Sequence, residues 1–454
     1  MRWQNRFLGR LGKGLGVSMD DRTRWLAEIV AGEIVQKREE GCDPSPLEAK
    51  FKARRDHASV QELESLWHEL YALPPRPGWR YSEPSDLDEI KAASPGGWTR
   101  PSEVKIENLL DRMLGAWLGR CAGCLLGKPV EGWTKERIEE CLLSEGAYPL
   151  DDYFPRPSRT QEKRKPQGLY RGEIDHMPRD DDVDYTILGL HVLESFGPNV
   201  TSEQIAGEWL ARLQYGSVYT AERVAYRNLV NQIPIPQTAI HLNPYREWIG
   251  AQIRADAWGY AMAGRPSSAA ELAFRDARIS HVKNGIYGEM MASAMVAAAF
   301  CLEEPEKIID AGLSVIPARS RLSEAVRNVV EWSRREDSWQ DCWSLVKQNY
   351  GHYSPVHTIN NALNVVLALI YGELDFTRTV GIAVMGGWDT DCNGATAGSI
   401  VGAAIGASKI PNAWKQPLHD RVESHVRGYQ ECRLSELASR AARLAAQNTG
   451  VEAG

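Results

Sequence analysis

Two short acidic stretches carry the side chains best suited to chemistry. Asp180, Asp181 and Asp182, with Asp184 close behind, open an apolar-periodic run through Ile187, Leu190 and Leu193. Asp389-Thr390-Asp391-Cys392-Asn393 opens a run striped with glycine. One carboxylate at a helix N-terminus is explained by the macrodipole, which favours it by about 0.3–1 kcal/mol. Three in succession repel one another more strongly than the dipole attracts them, unless a cation neutralises them. The second stretch follows Val384-Met385-Gly386-Gly387-Trp388 and leads into a helix of buried character, which puts Asp389 and Asp391 at the inner end of a core element. Buried carboxylates need a partner or a metal. Hard oxygen donors without histidines point to Mg2+ or Mn2+ rather than zinc. The two stretches, distant along the chain, are expected to converge on the same ions.

The elements that must position them read as helices. Residues 20–72 have helical periodicity (Trp25, Ile29, Ile34, then Leu63, Trp67, Leu70), which predicts a helical N-terminal extension over 1–72. Residues 73–100, dense in proline and aromatics, read as an extended linker laid on the main body by Trp79 and Tyr81. The main domain is predicted over 101–430. There, Gly197-Pro198 stops one helix and Thr201 with Gln204 forms a capping box for the next. Residues 247–263, 284–302, 319–335, 357–371 and 391–407 also carry three-to-four-residue apolar spacing. Gly394, Gly398, Gly402 and Gly406 fall on one face, at a cost of about 1 kcal/mol each relative to alanine. Close approach of another backbone would account for that cost, so this helix is placed at the centre. The charged, alanine-rich stretch 431–454 reads as a C-terminal tail with a fraying helix. No series of alternating strand patterns occurs, and the fold class is all-α.

Composition narrows the partners. A net charge of −7 argues against general nucleic-acid binding, and no run reads as a membrane span. The eight cysteines are scattered and read as reduced thiols in a cytoplasmic protein. Cys121 and Cys124 form a lone C-x-x-C, read as small residues packed in a helix. In the first nineteen residues Trp3, Phe7, Leu11 and Leu15 alternate with Arg2, Arg6, Arg10 and Lys13, as in a surface-seeking helix. Four glycines weaken that helix, and a frayed terminus is expected.

Four segments, taken in order, resemble the ADP-ribosylglycohydrolase family: DRMLGAWLGRCAGCLLGKPVEGW (111–133), DDDVDYTILGL (180–190), ISHVKNGIYGEMMASAMVAAAF (279–300) and GGWDTDCNGATAGSIVGAAIG (386–406). The resemblance implies a compact, orthogonal multi-helix bundle with two divalent metal ions. Their ligands would come from Asp180, Asp181, Asp182, Asp389, Asp391 and Cys392. Two of these depart from the family pattern: Asp180 and Cys392 stand where threonine is usual. A thiol is a poor Mg2+ ligand, and Asp180 adds a carboxylate in place of a hydroxyl. Glu131 matches the glutamate placed beside the metals and the scissile ribose, and His281 lies in a segment used near the substrate. With Gly387 and Trp388 it is a candidate substrate contact.

The resemblance further implies metal-dependent hydrolysis at the anomeric carbon of ADP-ribosylated substrates, a modified protein or a small ribosyl compound. Glu131 or the metal-bridging Asp389 would be the catalytic carboxylate. Two alternatives stay open: hydrolysis of another ribosyl N-glycoside, such as a nucleoside-like metabolite, and non-catalytic binding of ADP-ribose.

Overall fold

Glycine at every fourth position dictates the central contact. In the computed structural model, which describes residues 21–451 except 56, 97, 99–104 and 159–166, the helix Thr390–Ile405 lies against the helix Leu109–Gly127. A Cβ added to Gly119 would stand 2.0 Å from the carbonyl oxygen of Gly398, and one on Gly123 would stand 1.9 Å from that of Gly394. Gly115 meets Gly402 in the same way, and Gly127 meets Thr390. The pairing 115–402, 119–398, 123–394, 127–390 makes the helices antiparallel. The C-terminus of the first therefore lies at the N-terminus of the second. Gly406, counted in the stripe from sequence, instead ends the helix with a φ of +83°.

The described chain forms twenty α-helices, and its one sheet is a three-residue antiparallel pair, Arg421–Glu423 with Glu431–Arg433, so the all-α expectation is borne out. The described helices include none long and apolar enough to cross a membrane. The chain divides into two compact units, residues 1–80 with 240–245 and residues 81–239 with 246–454.

In the smaller unit, the helices Asp21–Glu39 and Val60–Tyr71 bury Leu26, Ile29, Val30, Leu63, Leu66 and Trp67. The amphipathic pattern of residues 1–19 lies outside the described residues. Trp79 belongs to this unit, with its ring where a Cβ on Gly41 would fall.

The larger unit holds every residue of the acidic stretches. Its capping box at Thr201 and Gln204 and the Gly197 helix stop are present as read. So are helices at four of the periodic stretches, Asn284–Ala299, Arg321–Ser333, Thr358–Gly372 and Thr390–Ile405. Three segments differ from the reading. Residues 247–263 form only the 3-10 turn Gln252–Arg254 and the short helix Asp256–Ala261, because the backbone at 247–249 pairs across the chain instead. Ile249 N–H donates to Val356 O at 2.9 Å, and Thr358 N–H donates to Glu247 O at 3.1 Å. The stretch read as extended linker contains the helix Leu87–Ala93, capped by the Asp86 carboxylate, and Tyr81 donates to Glu324 at 2.7 Å. The helix expected in the C-terminal stretch is present at Leu434–Thr449, but one face of it is packed rather than fraying, with Leu434, Leu437, Ala438, Ala441 and Ala442 buried.

Candidate active site and metal centre

Three helix ends meet where the glycine pair runs out. The Asp181–Phe196 helix is capped by Asp180, whose Oδ1 accepts the Asp182 N–H at 3.0 Å. The Thr390–Ile405 helix is anchored by Thr390 Oγ1, which donates to the Gly127 carbonyl at 2.8 Å, and by the Asp389 N–H, which donates to Asn361 Oδ1 at 3.1 Å. The two acidic stretches touch. Cys392 Sγ donates to Asp182 Oδ2 at 3.4 Å.

Burial sets the electrostatics. Asp182, Asp389 and Asp391 are 1%, 8% and 6% exposed. Desolvation, then Asp180, pushes the Asp182 carboxyl well above the usual range. Desolvation with Asp391 and Glu131 does the same to Asp389. Desolvation, Glu131 and Asp180 push Asp391 up to about 7. Each prefers a proton or a cation to standing alone as an anion. Asp182 has the Arg120 guanidinium at 3.3 Å, but Asp389 and Asp391 form no ion pair among the described residues. Asp180 is held down to about 2, against its own burial, by the Lys128 ammonium. Burial among these carboxylates keeps the Cys392 thiol protonated, which makes it a donor to Asp182. Sγ of Cys392 and oxygens of Asp389 and Asp391 lie within 4.8 Å of one another, as do Sγ of Cys124 and oxygens of Asp180 and Asp182.

The remaining candidates divide. Glu131 follows the 3-10 turn Lys128–Val130, is exposed, and acts on both Asp389 and Asp391. Gly387 and Trp388 adjoin the site, with backbone φ of +76° and +65°. Gly387 is closed in by the backbone of 133–135, and the Trp388 ring lies 5.7 Å from that of Trp343, largely buried. Asp181 is partly exposed, 4.0 Å from Arg179. Asp184 turns away, accepting from Arg179 Nε at 2.8 Å and from the His425 N–H at 2.9 Å. His281 is fully buried beside Ser280, 2.8 Å away, and under the influence of Arg254. No hydrogen bond or ion pair among the described residues joins it to the acidic stretches.

Arg120 and Lys128 escaped the sequence reading, and Cys124 was read there as a packing residue. Arg120 donates to the Asp182 carbonyl at 2.6 Å and to Asp256 Oδ2 at 2.7 Å, Cys124 faces Asp180 and Asp182, and Lys128 pairs with Asp180. Their signal was legible. They follow Gly119, Gly123 and Gly127 by one position each, so they form a polar stripe of period four beside the glycine stripe.

The family model described as ADP-ribosylglycohydrolase matches residues 105–450. A solved structure described as "ADP-ribosylglycohydrolase-related protein complex" is 21% identical, with 75% of this chain and 99% of that chain covered and a TM-score of 0.49. A comparison with curated proteins finds no match.

Proposed function

Because this chain belongs to the ADP-ribosylglycohydrolase family, whose members are glycosidases, we propose that it hydrolyses the anomeric bond of ADP-ribosylated substrates at a site holding Mg2+ or Mn2+. The observation that carries this reading is the contact between Cys392 and Asp182, which joins the two acidic stretches beside buried Asp389 and Asp391, neither of which forms an ion pair among the described residues. The donor set suits such an ion. Three buried carboxylates, each destabilised as an anion by burial and by its neighbours, gain from a hard cation that joins them. Asp182, Asp389 and Asp391 would hold it, with Asp181 at the exposed edge.

A bound divalent ion supplies ribose-hydroxyl coordination and a water of lowered pKa. The protein's own residues do the rest. Departure of the leaving group builds positive charge on the ribose, and the excess of carboxylates at this end of the helices stabilises it. Glu131 is the carboxylate that solvent and substrate can reach, and it orients the sugar or accepts a proton from the attacking water. Asp389 is the alternative base. Cys392 steers Asp182 through its S–H, and a thiol is ill suited to a hard ion in any case.

The test is release of free ADP-ribose from ADP-ribosylated proteins, nucleic acids and small conjugates, followed by mass spectrometry with Mn2+ or with EDTA. Expected are release with Mn2+, loss with EDTA, and a fall in kcat of about 100-fold or more for Glu131→Gln. No release from any of these, with ribose freed from nucleoside-like N-glycosides instead, would replace this substrate class by the other.

A further inference from the structure

The Asp180 carboxylate, a family departure expected to add a metal ligand, is already occupied. Its Oδ1 accepts the Asp182 N–H at 3.0 Å, and its Oδ2 is ion-paired with Lys128 Nζ. Lys128 is not a wandering surface lysine. Its Nζ also donates to the Arg179 carbonyl at 3.0 Å, so a second bond fixes the ammonium at the start of the acidic triad. Its backbone leaves the glycine helix at Gly127, where a Cβ would lie 2.2 Å from the Thr390 carbonyl oxygen, and this places Lys128 between the two acidic stretches. The charge of Lys128 also acts on Asp181 and Asp391.

We propose that Lys128 is a built-in counter-ion that takes the place of one of two metal ions, so that the site binds a single divalent cation at Asp182, Asp389 and Asp391. The physical reason is charge balance in a confined space. An ammonium seated on Asp180 neutralises the carboxylate most able to hold an ion on that side, and it repels a second dication arriving there. Among the described residues, Asp389 and Asp391 have no such cation ion-paired to them.

This inference rests on the divalent-cation site proposed above, and the two can fail separately. The full chain, stripped with EDTA and dialysed, is titrated with Mn2+ alone by calorimetry, with bound metal counted by elemental analysis. Wild type is expected to bind one Mn2+ per chain, Lys128→Arg one, and Lys128→Met two, the second ion using the released Asp180. Two ions on wild type would overturn the inference and leave the function standing, and one ion on folded Lys128→Met would overturn the role given to Lys128. No binding at all would overturn both readings. The wild-type count decides even if Lys128→Met fails to fold.

Discussion

Two of the buried concentrations of charge in the larger unit solve the same problem in opposite ways. Around Arg254, three acids are drawn onto one guanidinium: Glu222 at 2.6 Å, Asp276 at 2.7 Å and Glu289 at 3.4 Å. Arg254, Glu222 and Glu289 are almost wholly buried. Trp258 Nε1 donates to Glu289 at 3.0 Å, and burial with Asp276 pushes the Glu289 carboxyl well above the ordinary range. That cluster is closed: one fork of donors reaches every acid, and excess negative charge is relieved by a proton. At the three helix ends, the positive charges stand to one side. Arg120 serves Asp182 and Asp256, Lys128 serves Asp180, and Arg179 serves Asp184, while Asp389 and Asp391 have no ion pair among the described residues and Glu131 is open to solvent. The difference separates a structural cluster from the proposed binding site. Three acids share one guanidinium in the first, and what distinguishes the second is carboxylates with no ion pair among the described residues beside the exposed Glu131.

The comparison can be broken most directly at the closed cluster. Arg254→Met strands three buried acids and is expected to cost about 3–5 kcal/mol of stability in urea unfolding, with Mn2+ affinity at the other site unchanged if the variant folds. A variant as stable as wild type would show that the cluster holds nothing together. Next in size is Asp391→Ala, expected to weaken Mn2+ binding by about 100-fold or more in calorimetry, since even supporting residues around a metal contribute about 10–100-fold. Unchanged affinity would move the ion elsewhere.

The third effect is in pH. In the cation-free protein Asp391 is raised to about 7 from an unfolded value near 3.8, so the folded chain holds a proton that the unfolded chain has released. Its contribution to stability is full below pH 3.8 and is lost as pH rises through 7, by at most about 1.4 kcal/mol per pH unit. Thermal melts in EDTA should therefore decline from pH 5 to pH 8, and Mn2+ should raise Tm more at pH 8 than at pH 5. Equal gains at both values would contradict a cation at Asp391.

Much of the helix content was legible because its signals are local. The Thr201–Gln204 box, the Gly197 stop and the period-four glycines act within one or two turns of backbone. The segment 247–263 misled because its apolar spacing was helical while its backbone partners lay at 356–358, far along the chain. The helix Leu87–Ala93 was hidden by the prolines around it, although Asp86 three positions before Glu89 is a capping signal. His281 matched a family segment by order, yet its burial beside Ser280 and Arg254 depends on what packs over it.

By itself, the sequence determined that acids open two helices and that a glycine face must meet another backbone, since helical period and terminal dipoles depend only on near neighbours. Only the tertiary structure decided the partner of that face, 115 to 127, and the antiparallel register that sets Lys128 and Glu131 beside the acids. Which carboxylates are compensated and which stand without an ion pair among the described residues was decided there too, because Coulomb energy follows distance in space, and residues far apart along the chain acquire a distance only when it packs.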